Sequence, residues 1–187
     1  MINVGFFVEA SWLWWDTITR VVNDINVFAH MLCGGGVKTY IFKVKLKYDK
    51  RVWRKVEVLG SQTLDDLHMV IQEAFNFDGD PTHLYSFFMS GKAWDRDSPE
   101  YCHPEADGTP ATRERIESLN LRPKQKFLYL FDSGDQWEFE VEFLKEGIPE
   151  KAAYPRIIDS RGRAPEQYPE YDSISSPKNV PKPQRRI

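Results

Sequence analysis

The sequence is poor in cysteine and has no long apolar run. Its 187 residues include two cysteines, Cys33 and Cys102, which are too few for the disulfide framework of a secreted domain and are typical of reduced thiols. No apolar stretch reaches the roughly 18 residues that a membrane-spanning helix needs. The N-terminus also lacks the basic segment of a secretory signal. We therefore expect a cytoplasmic protein without a membrane span.

Sequence motifs of the common enzyme classes are missing as well. Gly34-Gly35-Gly36 has neither the lysine nor the Ser/Thr of a phosphate-binding P-loop, and no GxSxG motif of a nucleophilic serine occurs. Cys102-His103 is not accompanied by a CxxC motif or a second Cys-His pair, which gives little support for a zinc site. We predict no cofactor. A net charge of −3 also argues against a polyanion-binding surface over the whole molecule.

The residues that are present suffice for one ordinary core. Apolar side chains make up 41% of the chain and aromatic ones 14%, in a length typical of about one domain with extensions. We divide the chain into an N-terminal extension, residues 1–37, a core domain, residues 38–146, and a proline-rich tail, residues 147–187. Positive charge is concentrated at the end of that tail.

The N-terminal extension has the spacing of an amphipathic helix. After Ser11, which is suited to cap a helix, apolar residues recur four and three positions apart and share one face: Trp14, Ile18, Val21, Ile25, Phe28 and Leu32. Two interpretations remain open for this helix over residues 11–32. It packs against its own domain, as most amphipathic helices do, or it docks on a protein partner or on a second copy in a homodimer.

The core domain combines strand patterns with one main helix. We predict strands near residues 42–48, 52–59, 83–89, 127–131 and 137–143, and a helix that follows Thr63. Residues 90–112 are expected to form a long polar loop. The ββα-β-ββ order indicates an α+β fold, with a mixed sheet of about five strands and the helix packed on one face.

Two of these strands carry complementary rows of charge. Lysines alternate with apolar residues from Lys43 to Lys47 in the first strand, and glutamates do so from Glu138 to Glu142 in the last. Opposite charges on neighbouring strands contribute about 0.2–1 kcal/mol per pair. The pattern therefore places the first strand beside the last, as in a β-grasp-like arrangement, so that one face of the sheet neutralises its own charge.

Five segments, taken in order, resemble a known family. They are VWRK at 52–55, TLDDLHMVIQ at 63–72, HLYSF at 83–87, FDSGDQWE at 131–138, and YPR at 154–156 with RAPE at 163–166. Together they are similar to the plasmid pRiA4b ORF-3-like family, some members of which accompany mobile elements. The resemblance implies a fold but no established activity. Phe139 stands where relatives often have histidine, so an acid–base or metal role of that histidine is not implied.

The candidate catalytic residues are Asp132, Asp135, His68 and His83. The two aspartates flank a predicted turn, where their carboxylates can hold Mg²⁺ or Ca²⁺ or divide into an acid and a base. Both histidines join this site if the strand and helix ends meet, and Asp132, Asp135 and His83 are then the candidate metal ligands. The alternative is structural. Aspartate and glycine stabilise the turn, and His68 packs beside the apolar stripe of its helix.

The candidate nucleic-acid contacts combine an aromatic side chain with positive charge. They are Lys43, Lys45, Trp53 and Arg54 in the core and Lys182, Arg185 and Arg186 in the tail. Bases can stack on the indole while phosphates bind the cations. A structural interpretation stays open here too, since the glutamate strand can neutralise the lysines and a basic, proline-rich tail can serve solubility alone.

These patterns favour a non-enzymatic interaction module that associates weakly with nucleic acid in a mobile-element context. The alternative is a small metal-dependent or acid–base hydrolase centred on the turn from Asp132 to Asp135. The two hypotheses differ in what the structure should contain. A site that holds Asp135 and a histidine around one ion favours the enzyme, whereas a closed, salt-bridged sheet favours the module.

Overall fold

The fold comes from a computed structural model, which describes residues 36–78, 83–106 and 112–168. The strands within these ranges are β1 (Thr39–Leu46), β2 (Trp53–Leu59), β3 (Tyr85–Phe88), β4 (Glu100–Cys102), β5 (Lys126–Phe131), β6 (Trp137–Gly147) and β7 (Arg156–Arg161). Helix α1 (Leu64–Phe75) follows β2, and a 3₁₀ helix (Ile116–Leu119) precedes β5. Neither of these described helices has the length and apolarity that crossing a membrane requires. The predicted helix over residues 11–32 lies outside the described residues.

The seven strands form one antiparallel sheet in the order β4-β3-β5-β6-β1-β2-β7. The α+β class is confirmed, but the prediction of a mixed, β-grasp-like sheet of five strands is wrong. Helix α1 connects β2 and β3, which run in the same direction, yet three strands lie between them and no parallel pair forms. Strand β4 is absent from the prediction because three residues are too few to show an alternating pattern.

The predicted contact between the lysine strand and the glutamate strand is confirmed. β1 pairs with β6, with Lys43 opposite Glu142 and Lys45 opposite Glu140. The backbone N–H of Lys47 continues the pairing beyond β1 by donating to the next carbonyl of β6 at 2.9 Å. Both charge rows therefore share one face of the sheet, which we call the outer face. The apolar residues of the same strands share the opposite, inner face.

Helix α1 covers the inner face and closes the main core. It begins at a capping box, in which the Thr63 hydroxyl accepts from the Asp66 N–H and the Asp66 carboxylate accepts from the Thr63 N–H. Asn76 ends the helix in the left-handed region, with φ 54°. Leu67 is fully buried in the same cluster as Phe42 of β1. Because each such burial contributes about 1.5–3 kcal/mol, this layer stabilises the fold more than any single charge pair.

The outer face is apolar at one end and charged along its centre. Phe88, Leu128 and Leu130 form a second, small cluster on β3 and β5, against which Ala93 packs from the loop after β3. The lysine and glutamate rows of β1 and β6 occupy the middle of the sheet. The end formed by β2 and β7 has more basic than acidic side chains, and it carries the first candidate site.

The chain after residue 146 is not wholly a tail. β7 pairs with β2 as an edge strand of the sheet, so residues 156–161 belong to the sheet. Proline-rich sequence is compatible with this position, because the outward N–H groups of an edge strand need no partner. The Arg156 guanidinium fixes the strand by contacting Glu57 at 2.6 Å, and Glu57 also accepts from the Thr39 hydroxyl at 2.6 Å.

Candidate functional site

Trp53 lies on the outer face at the start of β2, between two lysines. The ammonium group of Lys43 is 4.2 Å from the centroid of the indole ring, and that of Lys55 is 5.3 Å away. The two lysines reach the same ring because they are direct cross-strand partners on β1 and β2. Both distances fall within the range of a cation–π contact, which contributes about 0.5–1 kcal/mol at exposed sites.

The other lysines of the β1 row are neutralised by β6. Lys45 Nζ lies 2.8 Å from Glu142 and 3.1 Å from Glu140, and Lys47 forms an ion pair with Glu138. Burial lowers the pKa of Lys45, but hydrogen bonds to Glu142 and Glu140 outweigh it and raise the pKa above the usual value. Lys45, a predicted nucleic-acid contact, is therefore already engaged by two carboxylates.

Around Trp53 the charges do not cancel. Arg161 of β7 is the direct cross-strand partner of Trp53, and Gly162, with φ 79°, lies against Val52 in the segment between β1 and β2. Six basic and two acidic residues meet at this end of the sheet, which we call the basic corner: Lys43, Lys50, Arg51, Lys55, Arg161, Arg163, Asp49 and Asp159. The basic corner carries a formal excess of four positive charges.

Only part of this positive charge is paired. Asp49 forms an ion pair with Arg51, and Asp159 forms one with Lys55, both at 2.8 Å. Within residues 36–78, 83–106 and 112–168, no carboxylate forms an ion pair with the other four basic residues of the corner. These four charges are therefore available to an anionic ligand.

Arg54 is not part of this surface, contrary to the prediction. It follows Trp53 on β2, so its side chain points to the inner face, where it is 7% exposed. Its Nε donates to the carbonyl of Ala74 at 2.7 Å, and its Nη1 donates to the carbonyls of Arg161 at 3.0 Å and Gly162 at 3.2 Å. Burial lowers the pKa of this guanidinium. Arg54 is a buried anchor that ties the end of β7 to the end of α1.

A second candidate site lies at the turn between β5 and β6. Asp132 has a left-handed backbone, φ 57°, and its Oδ1 accepts from the N–H groups of Gly134 at 2.8 Å and Asp135 at 3.4 Å. This is the turn-stabilising role of the structural interpretation. The other oxygen, Oδ2, lies 3.3 Å from Nδ1 of His83. The structure thus brings Asp132 and His83 together, whereas Asp135 is exposed beside the turn.

The second ring nitrogen of His83 contacts the chain after β7. Nε2 lies 3.2 Å from the Tyr168 hydroxyl, which accepts from Nε2 of Gln167 at 3.0 Å. Gln167 is held in turn by Asp78, whose N–H donates to Oε1 at 2.6 Å and whose Oδ1 accepts from Nε2 at 3.2 Å. Burial, followed by the carboxylates of Asp78 and Asp132, raises the pKa of Tyr168 and keeps its hydroxyl protonated.

His68 belongs to a different, buried network. Its Nδ1 lies 2.7 Å from the Tyr129 hydroxyl, which accepts from Nε2 of Gln72 at 2.6 Å. The imidazole stacks on Tyr85 with a centroid separation of 3.7 Å and an interplanar angle of 3°. Burial lowers the pKa of His68 to about 4, so the ring is neutral at pH 7.

The structure does not bring His68, His83 and Asp135 together. The two imidazoles pack around Phe131 at centroid separations of 6.0 and 5.7 Å and do not meet at a common ion position. In the part of the chain that the structure describes, no three His, Cys, Asp or Glu side chains are arranged to hold a metal ion. The candidate acid–base group is therefore the pair of His83 and Asp132.

Several residues of these sites are absent from the prediction, and Arg161 and Tyr168 are the most informative of them. Arg161 and Tyr168 both follow residue 146, in the segment interpreted as tail. The sequence signal for β7 is a single run, RIIDSR, in which two adjacent isoleucines break the alternation of a half-buried strand. The placement of Arg161 beside Trp53 depends on the pairing of β7 with β2, and the placement of Tyr168 beside His83 depends on the path of the chain beyond β7.

Known proteins share this fold. A family model described as plasmid pRiA4b ORF-3-like protein matches residues 38–170, a range that includes every described residue of both sites. Among solved structures, the crystal structure of a protein of unknown function from Methanosarcina mazei Go1 is similar, with a TM-score of 0.57. It is 23% identical, and the alignment covers 69% of this chain and 72% of that chain. No curated protein matches the chain.

Proposed function

Because the chain belongs to the plasmid pRiA4b ORF-3-like family, which implies a fold and no activity, we propose a function from its own surface. The protein is an interaction module that binds single-stranded nucleic acid at the basic corner. The supporting observation is an excess of four positive charges around an indole ring, in a chain whose net charge is −3. Single-strand-binding surfaces combine positive charge with aromatic rings on which bases stack.

Trp53 can accept a base in exchange for a lysine. Lys43 now lies over the indole ring at 4.2 Å, a contact that contributes about 0.5–1 kcal/mol at an exposed position. A base stacked on the same ring contributes about 1–3 kcal/mol. The displaced ammonium group then gains a phosphate as its partner. The exchange therefore favours the bound state.

The width of the basic corner favours a single strand over a duplex. Its charges lie on β1, β2 and β7, and three strands at a spacing of about 4.8 Å cover roughly 10 Å. The other lysines of the β1 row, Lys45 and Lys47, are paired with glutamates of β6 and offer no unpaired charge to further phosphates. A base that stacks on Trp53 must also be unstacked from its neighbours, which a duplex resists.

Binding of a fluorescently labelled oligodeoxythymidylate, followed by anisotropy at two salt concentrations, tests this proposal. If about four phosphates are neutralised, the logarithm of the binding constant should fall with the logarithm of salt concentration at a slope of about −3. We expect a duplex of the same length to bind more weakly. The proposal fails if neither oligonucleotide is retained at low salt.

Substitutions within the corner locate the binding site. Trp53→Leu should remove the stacking contribution and weaken binding at both salt concentrations, whereas Arg161→Gln should mainly reduce the salt dependence. Lys126→Gln is the matched control, because Lys126 is half-exposed on β5, outside the basic corner, and pairs with a glutamate at 3.2 Å. All three variants retain the predicted tail contacts, which lie outside the described residues: Lys182, Arg185 and Arg186.

A further inference from the structure

Hydrogen bonds around His83 define which of its nitrogens carries the proton. An ionised carboxylate only accepts, so the 3.3 Å approach of Nδ1 to Oδ2 of Asp132 favours the tautomer that has its proton on Nδ1. Nε2 then presents its lone pair to the Tyr168 hydroxyl at 3.2 Å. The Tyr168 hydroxyl accepts a hydrogen bond from Nε2 of Gln167 at 3.0 Å. The hydroxyl can therefore donate its own proton to Nε2 of His83. A carboxylate, an oriented imidazole and a hydroxyl therefore follow one another in a line.

We propose that Asp132 and His83 form a general-base pair for the hydrolysis of small esters, with the Tyr168 hydroxyl now in the position of the attacking water. The pair lies at the β5–β6 turn, on different strands from the basic corner, so this activity is additional to nucleic-acid binding. A general base needs a partner that orients it and a route to substrate. The turn fixes Asp132, and the His83 side chain is 27% exposed.

The reaction requires only water and the ester. When a water molecule replaces the Tyr168 hydroxyl, the water transfers a proton to Nε2 of His83. At the same time the water oxygen bonds to the ester carbonyl carbon. Asp132 stabilises the imidazolium that results. The tetrahedral adduct then breaks its bond to the alkoxide, and His83 returns the proton to that alkoxide. The products are one carboxylic acid and one alcohol.

Carboxylates around the site restrict the class of ester. Asp132 lies 3.3 Å from the His83 ring, Asp78 accepts from Gln167 beside Tyr168 at 3.2 Å, and both carboxylates raise the pKa of the Tyr168 hydroxyl. The same field repels phosphate and carboxylate groups of a ligand and attracts cations. We therefore expect neutral or cationic esters as substrates, and no phosphoesters.

Chemical reactivity tests the orientation of His83 without an assay of catalysis. Diethyl pyrocarbonate acylates neutral imidazole nitrogens, and mass spectrometry of peptides gives separate rates for His83 and His103. Tyr168→Phe keeps the aromatic ring and removes the hydroxyl that holds Nε2. We expect severalfold faster modification of His83 in this variant and no change at His103. Equal rates at His83 in both proteins would show that Tyr168 does not occupy the lone pair, and would overturn the proposal.

Hydrolysis of p-nitrophenyl acetate by the full chain tests the reaction itself. We expect a rate roughly a hundredfold above buffer, slower reaction in D₂O, and a lower rate for the anionic ester p-nitrophenyl succinate. His83→Gln and Asp132→Asn should each remove most of the activity, and asparagine tolerates the positive φ at position 132. His103→Gln is the matched control. A rate that survives His83→Gln, or that is equal in H₂O and D₂O, rules out the general-base role.

Discussion

The ammonium group of Lys45 lies 2.8 Å from Oε2 of Glu142 on the neighbouring strand. It also reaches Glu140 at 3.1 Å, and the three side chains are between 17% and 24% exposed. One central lysine thus compensates two glutamates and removes the middle of the outer face from the surface available to an anion. The positive charge that remains is concentrated at the basic corner, around Trp53.

Replacement of Lys45 by methionine should destabilise the fold by about 1–2 kcal/mol, since each cross-strand ion pair contributes about 0.2–1 kcal/mol. The two glutamates that remain would also repel each other along β6. Urea denaturation measures the change as a shift of the midpoint. Added salt should reduce the difference between the variant and the wild type, because screening weakens both pairs.

Lys126→Met is the control for this substitution. Lys126 is 50% exposed and forms one ion pair, with Glu140 at 3.2 Å. Exposed pairs of this kind contribute about 0–1 kcal/mol, so we expect a smaller loss than for Lys45. Equal losses in the two variants would show that the central position of Lys45 does not strengthen its contacts.

His68 should make the stability of the fold depend on pH. Burial lowers its pKa to about 4 in the folded protein, compared with about 6.5 in an unfolded chain. Between these two values the unfolded chain binds more protons, so the free energy of unfolding falls as the pH decreases from about 6.5 to about 4. At about 1.4 kcal/mol per pKa unit, the complete loss is on the order of 3 kcal/mol.

Urea denaturation of wild type and His68→Leu across this pH range measures the effect. The leucine variant should be less stable at neutral pH, because Tyr129 loses its imidazole partner, but its stability should change less with pH. His103→Gln should change the slope only slightly, since it leaves the buried ring in place and removes the smallest of the influences on its pKa. Parallel pH profiles for wild type and His68→Leu would assign the acid sensitivity to other groups.

Gly147 leaves space for a buried polar contact between β1 and β2. A Cβ atom at this position would lie 2.6 Å from the Thr39 hydroxyl and 3.4 Å from the Glu57 carboxylate. Thr39 donates to Glu57 at 2.6 Å, and both residues are buried. Because overpacking costs roughly 1–3 kcal/mol, Gly147→Ala should lower the Tm by several degrees. Gly36→Ala, with none of the described residues within 4 Å of its Cβ, should leave Tm unchanged.

The sequence patterns were sufficient to predict the central strand neighbours but not their direction. The lysine row of β1 and the glutamate row of β6 each repeat every second residue, so they match when the strands lie side by side. A row of identical charges is the same from either end of the strand, however. The pattern therefore does not tell whether the two strands pair in parallel or antiparallel. The short β4 and the mixed pattern of β7 form strands because the existing sheet offers them unpaired edges.

The candidate sites were harder to predict because their contacts join distant parts of the chain. Arg161 reaches Trp53 only through the pairing of β7 with β2, and Tyr168 meets His83 across 85 positions. The alternation of side chains along β2 does indicate that Arg54 shares a face with the apolar residues of that strand. The carbonyl groups that make a buried arginine acceptable come from α1 and the end of β7, so they are known only once the fold is known.

Arg54→Lys should separate the positioning of the basic corner from its charge. The guanidinium donates to four backbone carbonyls of β2, α1 and the end of β7, at 2.7–3.2 Å. A lysine ammonium lacks the planar fork that reaches these groups together. Because each buried carbonyl left without a donor costs about 1–3 kcal/mol, we expect a loss of about 2–4 kcal/mol in urea denaturation.

The same substitution should accelerate hydrogen exchange of the β7 amides more than that of α1, because the arginine holds the end of β7 while packing holds the helix. Oligonucleotide affinity should fall with it, since Arg161 is no longer fixed beside Trp53. Arg161→Gln is the matched control: it removes an exposed charge, so affinity should fall while stability and exchange stay unchanged. If Arg54→Lys lowers stability but leaves β7 exchange and affinity as in wild type, the pairing of β2 with β7 positions the basic corner without help from the buried arginine.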